Sequence, residues 1–186
     1  MTAQEQLDAV AADIIENQVC PELAASAIQL VPGEGSAKAA ILLVGEAPGA
    51  AEDREGRPFI GASGKFLQEM LESIGLTRED VFITNIVKYR PPKNRDPKPD
   101  EIETFKPYLQ QQINIIKPKI IITLGRHAMN VFLPGAKIGE LHGQLQDIED
   151  QPYLPLYHPA AALYNGGMRV TLKEDFARIP DILENL

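Results

Sequence analysis

The 186-residue chain carries 18 lysines and arginines against 26 aspartates and glutamates, a formal net charge of −8. That length suits one domain around one core, no apolar run approaches the roughly 20 residues that span a bilayer, and the acidic balance argues against indiscriminate nucleic-acid binding, which relies on phosphate neutralisation. The single cysteine, Cys20, excludes an internal disulfide and any cysteine-only metal site.

Met1 to Asp13 lacks a basic stretch leading into an apolar core, so a secretory signal is not expected and a cytoplasmic protein is. Leu7, Val10, Ala11, Ile14 and Ile15 recur at helical spacing within the first 30 residues. After a glycine-rich loop, Ile41–Val44 reads as a buried strand, and Gly45 to Ser63 as a long loop. Phe66, Leu67, Met70, Leu71 and Ile74 then mark an amphipathic helix stopped by Gly75. Val81–Thr84 is a second strand. Tyr89 to Pro99 holds four prolines and is expected to be irregular.

Pro99-Asp100-Glu101 opens a helix that ends near Pro118. Ile120–Leu124 is a third strand, Gly125-Arg126 begins another helix, Tyr153–Tyr157 is the last strand, and Val170 to Leu183 a closing helix. Strands alternating with helices predict an α/β fold: a three-layer sandwich with a central, mostly parallel four-stranded sheet. No linker divides the chain, so residues 1–186 are expected to form one domain with residues 1–30 packed on it.

Polar residues gather where these strands end. Gly45-Glu46-Ala47-Pro48-Gly49, with Glu52-Asp53, follows the first strand; Asn85 ends the second; Tyr157-His158-Pro159 ends the last. The carboxyl ends of parallel strands are where open α/β sheets hold ligands. Lys88, Arg90, Lys93, Arg95 and Lys98 follow Asn85 directly, opposed only by Asp96. Such runs usually form a solvated face, but this placement favours phosphate contact.

These pieces, with Gly56-Arg57-Pro58-Phe59, Thr84-Asn85-Ile86-Val87-Lys88, Arg90-Pro91-Pro92, Asn94-Arg95, Lys117-Pro118-Lys119 and Gly125-Arg126, resemble in order the uracil-DNA glycosylase superfamily, most closely its type-4 branch. The likeness runs from about Gly33 to Arg178. It implies an enzyme that flips uracil out of DNA, single- or double-stranded, hydrolyses its glycosidic bond and leaves an abasic site. Two other readings stay open: a different deaminated base such as hypoxanthine, or a DNA- or nucleotide-binding protein that has lost the chemistry.

Such a reaction needs a stacking surface, a reader of the Watson–Crick edge, a donor to the leaving base and a group that positions water. The resemblance gives stacking to Phe59, which is otherwise a core phenylalanine. It gives edge reading to Asn85, whose amide can accept from N3–H and donate to O4; a plain turn former is the alternative. His158 would donate to O2 of the departing base, or merely cap a helix. Glu46 would position water or offset cationic charge on the sugar. Ala47 is the small residue of the type-4 branch where type-1 enzymes carry aspartate, and Glu52 would block the methyl group of thymine.

DNA contacts are expected from Ser63, Lys88, Arg90, Pro91 and Arg126, with His142 touching weakly and His127 structural. Relatives place a wedging leucine after the histidine motif; Ala162 falls there, and Leu163 follows. Type-4 relatives also bind an iron–sulfur cluster through four cysteines. Here Asn17, Tyr89 and Phe105 stand at three of those positions and only Cys20 remains, so no cluster or other metal is expected. Tyr89 and Phe105 are expected to pack together in the vacated volume. Under this reading the protein is expected to be a monomer without membrane association.

Overall fold

The computed structural model describes residues 1–186. In chain order its elements are α1 (Ala3–Glu16), α2 (Pro21–Ser26), β1 (Glu34–Gly35), β2 (Ile41–Gly45), α3 (Ala50–Glu55), α4 (Ala62–Ser73), β3 (Phe82–Asn85), α5 (Pro99–Ile116) and β4 (Ile120–Leu124). There follow α6 (Arg126–Phe132), α7 (Ile138–Leu141), β5 (Gln146–Ile148), β6 (Gln151–Leu156), α8 (Pro159–Ala162), α9 (Gly166–Ala177) and α10 (Ile179–Glu184). A 3-10 turn, Pro92–Asn94, interrupts the proline-rich loop.

The sheet runs β1-β3-β2-β4-β6-β5. Its inner four strands are parallel, with Leu43 opposite Ile83 and Ile122, and Ile122 opposite Leu154. The expected four-stranded sheet is therefore its centre, and β1 and β5 add antiparallel edges. These edges are two and three residues long, too short to show any apolar alternation.

Alternation through β2 explains the layers. Leu42 and Val44 join a core cluster with Leu7, Val10 and Ile14 of α1 and Phe105, Leu109 and Ile113 of α5. Ile41 and Leu43 face the other way, into a cluster with Phe66, Leu67 and Met70 of α4 and Leu172 and Phe176 of α9. Strands buried on both faces read as continuous apolar runs, which is the pattern of a covered parallel sheet.

The N-terminal segment is two helices, not one. A capping box between Thr2 and Glu5 starts α1, and the break before α2 puts Gln18 and Cys20 in the left-handed region. Buried Asp53 ties this segment down by accepting from the Ile28 and Gln29 amides at 2.8 and 3.3 Å. The closing helix likewise divides at Arg178, ahead of Pro180. No helix is long and apolar enough to cross a membrane.

Candidate active site

The carboxyl ends of β2, β3 and β6 deliver Ala47, Asn85 and His158 to one cleft, where Glu52, Phe59 and Ser63 complete the lining. Its free volume is about 30 Å³. A wider crevice of about 750 Å³ lies around Glu34, Arg57 and Arg78, but no hydrophobic residue lines it and both arginines are already paired with Glu34. The small cleft is the one whose groups are unpartnered and convergent.

Phe59 is both core residue and cleft wall: it is buried, yet lines the opening and stacks on His158, ring centroids 5.5 Å apart. Its φ of +51° is unusual for a bulky residue and costs on the order of 1–3 kcal/mol. Arg78 holds it there, donating to Phe59 O at 2.7 Å and Pro58 O at 2.5 Å while pairing with Glu34. Gly64 lets the turn close, since a Cβ there would lie 1.8 Å from Phe59 O. A Cβ at Gly45 would meet Asn85 Oδ1 and the Phe59 ring, each at 2.5 Å. The glycine of the first motif thus lets amide and ring approach each other.

Asn85 is buried, and its Nδ2 has no hydrogen-bond partner. Buried polar groups are nearly always paired, so an orphaned donor facing a cleft is suited to an acceptor on a ligand. Its backbone is anchored from behind. Lys88 Nζ donates to Asn85 O at 2.7 Å, Gln112 Oε1 at 2.7 Å and Thr84 Oγ1 at 2.5 Å. Lys88 is fully buried, and burial pushes its amine down to about 7. The expectation that Lys88 grips phosphate is therefore wrong: four residues after Thr84, its side chain turns inward to hold the strand end.

His158 caps α8, its Nδ1 accepting from the Ala160 amide at 3.0 Å. An imidazole nitrogen that accepts cannot carry the proton, so the neutral ring bears it on Nε2. Burial lowers the ring's pKa to about 4. The helix-cap reading and the donor reading are one arrangement: the cap fixes the tautomer, and Nε2–H is left to donate.

Glu46 does not line the cleft. Its carboxylate lies beside His127 Nε2 at 4.0 Å, and Asp96 lies 3.4 Å from the same nitrogen. Burial raises the Glu46 carboxyl above the usual range, Asp96 adds to this, and His127 and Arg126 oppose it. The trio supplies three ligand atoms within 4.8 Å of one another, the set closest to a metal centre in this chain. His127 reads as structural in the sequence because nothing local marks its neighbours: Glu46 and Asp96 come from distant segments.

The proposed DNA contacts separate into exposed and hidden groups. Arg126 is exposed, 3.8 Å from Asp96. Arg90 is partly exposed and donates to Asn94 at 2.7 Å. Arg95 pairs with Glu101 at 2.6 Å. Pro91 is buried, so its ring is not presented to a ligand as expected. Ala162 is fully buried and cannot wedge; Leu163 packs on the core beneath α4 and α9. The next residue, Tyr164, is 94% exposed, although the motif register points to its neighbours instead. His142 is bound to Asp175 at 2.7 Å rather than left free for DNA.

Iron–sulfur ligation does not fit this donor set. Tyr89 and Phe105 are buried in edge contact, ring centroids 6.0 Å apart, as expected. Asn17 caps α1 and donates to Asp13. Cys20, the single thiol, packs beside them. One thiolate cannot hold a cluster that needs four ligands.

Comparison with known proteins agrees with this geometry. A sequence model of the uracil DNA glycosylase superfamily matches residues 32–181. A type-4 uracil-DNA glycosylase of Sulfurisphaera tokodaii is 51% identical over 164 residues, 82% of this chain and 74% of its own. Those of Saccharolobus solfataricus and Archaeoglobus fulgidus are 46% and 43% identical, over 97% and 96% of this chain and 88% and 94% of theirs. The fold, the cleft at the strand ends and these similarities lead to one assignment: the chain belongs to the uracil DNA glycosylase superfamily and sides with its type-4 branch.

Proposed function

We propose that this protein is a monofunctional glycosylase that removes uracil from DNA by hydrolysis and leaves an abasic site. The observation that carries the reading is the meeting of Phe59, Asn85 and His158 in one cleft, with a free amide donor and a free imidazole donor. The type-4 uracil-DNA glycosylases above support it across nearly the whole chain.

Phe59 stacks on the flipped base, which is worth about 1–3 kcal/mol. Asn85 Nδ2 donates to O4 and its oxygen accepts from N3–H. As the glycosidic bond breaks, negative charge collects on O2, where His158 Nε2–H donates without having to lose charge. Such fixed donors are typically worth about 2.7–4 kcal/mol in the transition state. Glu46, outside the base cleft, faces the sugar, where positive charge develops and water adds. Water gives its hydroxyl to the anomeric carbon and its proton to the released base. Glu52 and Ala47 bound the C5 side of the base.

The narrowness of the cleft favours a pyrimidine over a purine such as hypoxanthine. Ser63, Arg90 and Arg126 contact phosphate, and Tyr164 takes the place expected for Leu163 at the gap the base leaves. The protein works as a monomer in the cytoplasm, as one domain, with no metal in the reaction.

The test is a labelled oligonucleotide with one uracil, single-stranded or opposite G or A, assayed with EDTA and cleaved by alkali at abasic sites. Wild type should cut, and Asn85→Ala and His158→Ala should not at matched protein and time. A wild type inert on uracil but active on hypoxanthine would replace the substrate; one inert on both but binding DNA would make it a binding protein.

A further inference from the structure

Beside the base cleft, three ionisable side chains from separate segments meet. Glu46 follows β2, Asp96 lies in the proline-rich loop after β3, and His127 is in the first turn of α6. His127 Nε2 is sealed from solvent and makes no hydrogen bond, although Asp96 Oδ2 is 3.4 Å away and Glu46 Oε2 4.0 Å. Such a group is unfavourable when left unpaired, and a small rotation would pair it with either carboxylate. Catalytic hydrogen bonds are often long before substrate arrives and tighten in the complex.

We propose that His127, braced by Asp96, is a positioning residue that aims the Glu46 carboxylate at the deoxyribose. This rests on the uracil-excision reading and explains why Glu46 sits outside the cleft that holds the base. When DNA is bound, His127 Nε2–H donates to the Glu46 carboxylate, and Asp96, 3.4 Å from the same nitrogen, keeps the ring in place. Because Asp96 belongs to the loop that continues from Asn85, the strand end that reads the base and the group that braces His127 are parts of one segment. Charges facing Glu46 act in opposite senses: His127 and Arg126 of α6 favour its anion, and Asp96 of the loop disfavours it. A divalent cation is the competing occupant of the trio. Against it, Arg126 already brings a guanidinium to 3.8 Å from Asp96, so a metal there would add positive charge to positive charge.

Two readouts on the full-length protein decide the matter. One is the ¹³C titration of the Glu46 carboxyl, identified by its loss in Glu46→Gln; the other is kcat and KM for uracil excision across pH. His127→Phe should raise the Glu46 midpoint, and Asp96→Asn should lower it, each by roughly half a unit or more. His127→Phe should lower kcat about ten- to hundredfold with KM nearly unchanged. His127→Gln keeps a donor, so relative to His127→Phe it should restore part of kcat and bring the Glu46 midpoint part of the way back. Midpoints that do not move, or that move the same way in both variants, overturn the proposal. So does an effect confined to KM, or wild-type activity that EDTA abolishes, which would make the trio a metal site. If wild type leaves uracil untouched, the function assigned above fails, while the carboxyl titration still judges the coupling.

Discussion

The stretch from Asn85 to Phe105 is built on opposite rules at its two ends. At Asn85 the amide Nδ2 is buried without a partner, and Phe59 is held in a costly backbone conformation beside it. At Tyr89 and Phe105 two aromatic rings close on each other, and Glu101 nearby accepts from Arg95 and the Lys98 amide. One end keeps an unmet hydrogen-bond donor and strain, and the other is closed by ring packing and paired charges. Unmet capacity is useful only where a ligand will meet it, so stability and catalysis should respond separately to changes at the two ends.

The largest separation is expected from Phe105→Ala, which opens a cavity in the fully buried cluster and should cost about 3–5 kcal/mol. Urea melts should show the loss, while activity per folded molecule stays within about twofold. The double change Tyr89→Cys with Phe105→Cys should also lower the melting temperature. His158→Ala should do the reverse. Uracil excision should fall about 100- to 1,000-fold with a smaller loss of stability than Phe105→Ala, because the ring makes one cap bond and one stack on Phe59 at the mouth of the cleft. Equal damage to stability and activity in either variant would erase the contrast.

Lys88 sharpens the comparison because it belongs to both ends, buried under Asn85 and reached by Gln112 of α5. Its amine titrates near 7 when folded and near 10.5 when unfolded. Between those values the unfolded chain binds a proton that the folded chain lacks. Stability should therefore rise with pH, by up to about 1.4 kcal/mol per unit. The window is about pH 7 to 8.5, since above it the half-buried Cys20 thiol, whose pKa is raised by desolvation, acts in the opposite sense. Lys88→Met should flatten that slope in denaturant melts; an unchanged slope would show that Lys88 is not its source.

A smaller effect is expected from Arg78→Lys, which keeps charge near Glu34 but cannot reach both Pro58 O and Phe59 O with a planar fork. Excision should slow about tenfold, and free uracil should inhibit less well. The smallest belongs to Arg126→Ala. It should weaken binding to duplex DNA and reduce the salt dependence by about one phosphate contact, a change of ~0.9 in the log–log slope.

The residues differ in how openly the sequence shows their roles. β2, β3 and β4 were legible because a strand buried on both faces must be apolar throughout, and Asn85 and His158 because they stand where such runs stop. Lys88 was misread because a lysine in a basic run looks solvated, and only the position of Gln112, 24 residues on, shows that it has acceptors inside. His127 reads as merely structural, and Arg78 carries no signal, for a related reason. Their partners, Glu46, Asp96, Glu34 and the Phe59 carbonyl, are far away in sequence and come together only when the sheet forms. Ala162 and Leu163 were misplaced because a four-residue helix rotates them inward and leaves Tyr164 outside.

The bond from the Ala160 amide to His158 has a bearing on how this protein tolerates genetic change. The tautomer is set by a main-chain N–H, which nineteen of the twenty amino acids provide. Codon 160 can drift through almost any replacement without touching the proton that His158 offers. Proline alone withdraws that N–H, so among substitutions at an exposed alanine, one is singled out for a loss that no change of side-chain size or polarity would cause.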